Sequence, residues 1–174
     1  MGARTEHEVP PAASRTTTER VSDRELVFTR TINGPARLVF KAWTTPELFQ
    51  RWWVPKSLGM TIVFYKADIR TGGSYRIEIR HPDFDHPMPF FGRYVEVTPH
   101  SRLVWTNEES PDGAVSAVTF EEKSGKTLVV LRDTYPSKEA LDAAMASGSA
   151  YGVGDEQFDQ LEDVLRALPP STKS

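Results

Sequence analysis

The chain has 174 residues, no cysteine and a formal net charge of -3 at pH 7. Its length suits one domain able to bury roughly 70% of its unfolded surface without disulfide or metal staples. The missing cysteines exclude thiolate metal sites and cysteine nucleophiles and fit a reducing cytoplasm. The charge balance offers no field for nucleic acid or anionic lipid, and no apolar run approaches the roughly 20 residues of a membrane helix.

Residues 1–22 begin MGARTEHEVPPAASRTTTER, with no apolar period and no secretory h-region, so a disordered tail is expected there. A second tail is expected over 169–174, which leaves 23–168 as a single domain. ELVFTRTI (25–32) reads as a strand of β-branched and aromatic residues. NGPARLVFKAW then predicts a helix, with Pro35 near its first position and Asn33 or Gly34 as cap. TPELFQRWW follows, with Thr45 as cap and Pro46 at the first helical position; Pro55 limits this helix to barely two turns.

Three hairpins come next. TIVFYKADIRTGGSYRIEIRHP turns at Thr71-Gly72-Gly73, and Tyr75, Ile77 and Ile79 alternate with Arg76, Glu78 and Arg80, so one face is buried and the other wet. FGRYVEVTPHSRLVWTNEE turns at TPHS, and AVSAVTFEEKSGKTLVVLRDTY at Lys123-Ser124-Gly125. The chain closes in helical pattern. SKEALDAAMAS is capped at Ser137, and EQFDQLEDVLRAL, with Asp155 as its expected cap, repeats Phe158, Leu161, Leu165 and Leu168 on one face. The only long amphipathic partner for the sheet is this last helix, so layer logic predicts a curved sheet gripping it.

Taken together, RTINGPARLVFKAWTTPELFQRWWVP, ADIRTGGSYRIEI, FGRYVEVTPHSRLVWT, VTFEEKSGKTLVVL and YGVGDEQFDQLEDVLRAL resemble the START-like (SRPBCC) superfamily. More narrowly, they resemble homologues of the C-terminal domain of the activator of heat-shock protein 90 ATPase. The Trp-Trp before proline and the Asp-x-Arg-x-Gly-Gly turn are the most telling pieces. The last helix in that family often opens on Gly-Trp, whereas here Tyr151-Gly152-Val153-Gly154 precede an acidic start. The resemblance implies an α+β helix-grip fold, with a curved antiparallel sheet around a C-terminal helix, two short helices after the first strand, and a cavity between sheet and helix. Members bind lipids, sterols, polyketides and other apolar molecules, and some catalyse reactions on them. A co-chaperone reading is also implied, although the 22-residue tail leaves no room for the separate N-terminal domain that the eukaryotic co-chaperone uses.

The chemistry-bearing residues are sparse. HPDFDHP (81–87) sets His81 and His86 beside Asp83 and Asp85, but its prolines make it a solvated loop and its spacing fits no zinc pattern. No metal or cofactor is expected. There is no nucleophile elbow, and Ser116 and Ser124 have no histidine nearby in sequence. Among strand carboxylates (Asp68, Glu78, Glu96, Asp133), Glu78 is expected to pair with surface arginines, and Asp68 and Arg70 to fix the Gly-Gly turn. In GRYVEV either Val95 and Val97 or Tyr94 and Glu96 face inward; the second parity makes Glu96 a candidate acid–base group.

Aromatic residues are the richest signal, and aromatic walls with few polar anchors characterise apolar small-molecule sites. The expected cavity is lined by Phe40, Phe49, Trp52, Trp53, Phe64, Tyr75, Ile77, Tyr94, Trp105, Met145, Tyr151, Phe158 and Leu161. Which of Trp52 and Trp53 meets it stays open, because helical neighbours point about 100° apart. The expectation is a cytoplasmic monomer or weak dimer that binds a small apolar molecule. An enzyme acting on that molecule and a chaperone partner stand as alternatives.

Overall fold

The chain runs β1 (Thr17–Arg20), β2 (Glu25–Ile32), α1 (Ala36–Thr44), α2 (Pro46–Phe49), a 3-10 turn (Lys56–Leu58), β3 (Thr61–Ala67), β4 (Ser74–Arg80), β5 (Met88–Thr98), β6 (Arg102–Thr106), β7 (Val115–Lys123), β8 (Lys126–Thr134), α3 (Lys138–Ser147) and α4 (Asp155–Ala167). The computed structural model describes residues 16–147 and 154–168. All pairings are antiparallel, in the order β1-β2-β8-β7-β6-β5-β4-β3. The three expected hairpins form β3–β4, β5–β6 and β7–β8. The last turns through Ser124 and Gly125, both at positive φ (56° and 79°), the conformation a tight hairpin needs.

Alternation along the strands builds one apolar face. Leu26, Phe28 and Ile32 of β2 are sealed, as are Val129 and Leu131 of β8 and Val118 and Phe120 of β7. The C-terminal helix lays Phe158, Leu161, Val164 and Leu165 on this face, packing against β2 and α1. The architecture is the expected helix-grip: a curved antiparallel sheet closed by its C-terminal helix.

The structure corrects several local expectations. Residues 17–20, placed in the disordered tail by composition, form β1 and pair with Leu26–Thr29. Their side chains are exposed and their pairing is made by the backbone ladder, of which hydropathy carries no trace. The second helix is shorter than two turns: α2 ends at Phe49, and Trp52 and Trp53 follow in a turn whose amides both reach the Phe49 carbonyl. Pro35 caps α1 instead of starting it, and Thr45 precedes α2 without a side-chain capping bond. Gly154, not Asp155, is the cap of α4; the Gly154 amide donates to Gln157 Oε1 (2.8 Å). At α3 the expected cap holds, with the Ala140 amide donating to Ser137 Oγ at 3.0 Å.

Candidate functional site

On the concave face the aromatics meet in a circuit. Tyr65 stacks on Phe49 (5.3 Å between ring centroids), and Phe49 stacks on Trp53 (4.8 Å). Trp53 meets Trp43 edge-on (5.7 Å), and Trp43 tilts against Trp105 (6.0 Å). Trp105 is the cross-strand partner of Tyr94, whose hydroxyl faces that of Tyr65 and closes the circuit. Trp43 and Phe49 are sealed, while Trp53, Tyr65, Tyr94 and Trp105 are only part-buried. Burial pushes the Tyr65 hydroxyl up to about 12 and that of Tyr94 higher still, so both are neutral donors at physiological pH. The Trp43 indole N–H is buried with no hydrogen-bond partner among the described residues.

The tryptophan pair divides cleanly. Trp52 is 0% exposed, donates its indole N–H to the Ala42 carbonyl (3.0 Å) and lies parallel to Phe158 at 6.3 Å. It is core; Trp53 is part-buried and belongs to the circuit. Two glutamines of α4 fix that choice. Gln157 Nε2 donates to the Trp53 carbonyl (2.8 Å), and Gln160 Nε2 to the carbonyls of Trp52 (3.0 Å) and Val54 (2.8 Å). Gln160 Oε1 in turn accepts the Lys56 amide at 3.0 Å. Buried carbonyls of an irregular segment need such partners, and the C-terminal helix supplies them.

A polar group interrupts the apolar face. Leu26, Asp133, Ser116, Trp105 and Tyr94 form one row across β2, β8, β7, β6 and β5. The Ser116 hydroxyl donates to Asp133 Oδ1 (2.7 Å) and accepts from Asn107 Nδ2 (3.1 Å). Tyr75, beside Tyr94, donates to the Thr106 carbonyl at 2.6 Å. Burial lifts the Asp133 carboxyl to about 6, against the smaller downward pull of the Ser116 hydrogen bond.

Residues 33–166 match the family model described as Activator of Hsp90 ATPase homolog 1-like protein. The chain belongs to this family. It lies within the SRPBCC, or START-like, superfamily, and no curated protein matches the chain. Similar solved structures include a Rhodobacter sphaeroides protein (22% identity, TM-score 0.78), covering 88% of this chain and 99% of that one. A Nitrosomonas europaea protein aligns with 24% identity and TM-score 0.73, covering 86% and 98%. An AHSA1-like protein from Aeromonas hydrophila aligns with 20% identity and TM-score 0.65, covering 82% and 97%. At such identities the likeness shows the fold.

Within this activator-homologue domain, the residues proposed from sequence separate into groups. Phe49, Trp53, Tyr94 and Trp105 join the circuit, and Tyr75 flanks it. Trp52, Phe158 and Leu161 are sealed core; Ile77 is buried beside Tyr65, its cross-strand partner. Phe40 is packed between His100 and Phe120, away from the circuit. Met145 of α3 is part-buried, with Arg20 Nη1 3.7 Å from its sulfur. Tyr151 lies outside the described residues.

Two proposed residues face the wrong way, and bulges are the reason. A register shift between Ile62 and Phe64 turns Ile62 and Tyr65 inward and leaves Phe64 44% exposed. A second shift between Tyr94 and Glu96 puts Tyr94 and Val97 on the core, against both parities expected. Glu96 is therefore a surface carboxylate, bonded to Thr98 (2.7 Å) and Arg102 (3.1 Å), which hold it below the usual range.

Sequence reasoning missed Tyr65, Trp43 and the two α4 glutamines as members of the site. The 81–87 segment is a connection between β4 and β5, and among the described residues no group of three or more His, Asp or Glu is placed to hold a metal. Two open hollows, of about 360 and 420 Å³, lie outside the circuit; the first borders Asn107, the second Val54 and Met60.

Proposed function

We propose that this chain binds a small, mainly apolar molecule, aromatic or lipid-like, between the concave sheet face and α4, with the aromatic circuit as its wall. The observation that carries this reading is the contrast in burial. Trp53, Tyr65, Tyr94 and Trp105 stay part-buried on a face where their neighbours Trp43, Phe49 and Trp52 are sealed. A folded core closes on its aromatics; large rings left part-open on a concave surface suit a flat apolar guest. Family membership supports the same reading, because this family typically binds small ligands. Exposed Glu96, tied up by Arg102, loses the acid–base role considered for it.

Native mass spectrometry of protein purified without organic solvent tests the proposal. The expected result is a hydrophobic adduct, or retention of one from a lipid and polyphenol panel, that is lost in Trp53→Ala and Trp105→Ala. A bare mass and no retention across the panel overturn it.

A further inference from the structure

The geometry points to an organic cation: the guest carries one protonated amine, seated against the Asp133 carboxylate at the polar end of the site. This rests on the binding reading above and narrows its ligand class. Asp133 is 8% exposed, in the middle of the sheet, on the same face and in the same row as Trp105 and Tyr94. With strands about 4.8 Å apart, its backbone lies roughly 10 Å from that of Trp105 and roughly 14 Å from that of Tyr94. A molecule lying on the aromatic wall therefore spans to the carboxylate with a short arm.

What singles out this carboxylate is the absence of a counter-charge. Among the described residues its one hydrogen bond comes from Ser116, and no basic side chain pairs with it. Its neighbours across the sheet are Leu26 and Ser116, and the titratable group that senses it is Tyr135, two residues on and just past the end of β8. Of the charges on nearby elements, exposed Arg24, beside Tyr135, reaches the Pro136 carbonyl (3.4 Å), and the following are engaged in ion pairs. Lys138 of α3 and Arg20 of β1 are both paired with Asp142 of α3 (2.9 and 2.8 Å). On α4, Asp155, Asp159 and Glu162 gather on Arg30. Glu25 pairs with Arg132 on the outer face. Buried carboxylates are normally paired or hydrogen-bonded on both oxygens, so one held by a single neutral hydroxyl, at the end of a row that leads to the aromatic wall, is a seat for an ammonium. The rise of the Asp133 carboxyl to about 6 is consistent with this, leaving it ionised at neutral pH.

Calorimetric titration with three probes of one aromatic body tests the inference: naphthylethylamine, naphthylethanol and naphthylacetate. At a pH of about 7.5 the amine is expected to bind at least about tenfold more tightly than the alcohol, and the acetate least. In Asp133→Asn the amine-to-alcohol ratio should fall to about one. Should that variant fail to fold, the wild-type ratio serves: it must shrink as pH falls from about 7.5 to about 5, where the carboxyl takes up its proton. If the alcohol binds and the amine is no tighter, or the ratio survives at low pH, the cation is wrong and the apolar-ligand reading stands. If none of the three binds, both fall.

Discussion

Replacing Trp52 by alanine tests the division of labour within the tryptophan pair. Trp52 is fully sealed, with rings of Trp43, Phe49, Trp53 and Phe158 within 4.9–6.3 Å of its own. Truncating a buried aromatic to alanine costs about 3–5 kcal/mol, and the Ala42 carbonyl loses its donor, adding about 1 kcal/mol. The sum, about 4–6 kcal/mol, is a large share of the roughly 5–15 kcal/mol that stabilises a domain. It corresponds to a fall in Tm of roughly 10–20 °C. Trp53→Ala removes a part-buried ring and should cost about 1–3 kcal/mol. Urea unfolding followed by far-ultraviolet circular dichroism reads both without relying on tryptophan emission. Equal midpoints for the two variants, or a lower one for Trp53→Ala, would refute the assignment of Trp52 to the core and Trp53 to the wall.

Other expectations follow from the same geometry. Because the folded state raises the Asp133 carboxyl from 3.8 to about 6, it binds a proton that the unfolded chain has released. The contribution of Asp133 to stability should therefore be lost as pH rises from about 4 to about 6, by roughly 3 kcal/mol in all and opposite in sign to that of lowered carboxylates such as Glu96 and Glu108, and Asp133→Asn should remove it from the pH dependence in urea titrations. Gly73→Ala places a methyl 1.9 Å from the Asp68 carbonyl oxygen, a backbone atom that cannot swing away. A loss of about 2 kcal/mol or more is expected in the same assay, and a neutral outcome would mean that the turn is built differently. Glu96→Gln should leave calorimetric affinity for the naphthyl probes unchanged, since this side chain sits outside on Arg102.

Strand parity was legible where hydropathy alternates without interruption, as along Tyr75-Arg76-Ile77-Glu78-Ile79, and failed where a bulge lies inside an apolar run. Ile62-Val63-Phe64-Tyr65 is apolar throughout, so no pattern marks which residue is extra; the same holds for Tyr94 and Val95. The choice between Trp52 and Trp53 depends on Gln157 and Gln160, more than 100 positions away, and a local helical wheel is blind to it. The Asp133–Ser116 pair, in contrast, could have been counted out from the Ser124-Gly125 turn. Pairing Lys123 with Lys126 and stepping seven residues along each strand brings the two together. Reasoning that searched only for histidine beside a serine passed over it. The first strand left no hydropathy signal because its side chains are exposed and its pairing is made by backbone groups.

The central claim, that an apolar guest lies on the aromatic circuit, is tested most directly by the indole N–H signals of the four tryptophans in a nitrogen–proton correlation spectrum. Titration with naphthylethanol should shift the signals of Trp53, Trp105 and Trp43 and leave that of Trp52, locked on the Ala42 carbonyl, in place. Four unmoved indoles at saturating probe, or a shift confined to Trp52, would contradict it.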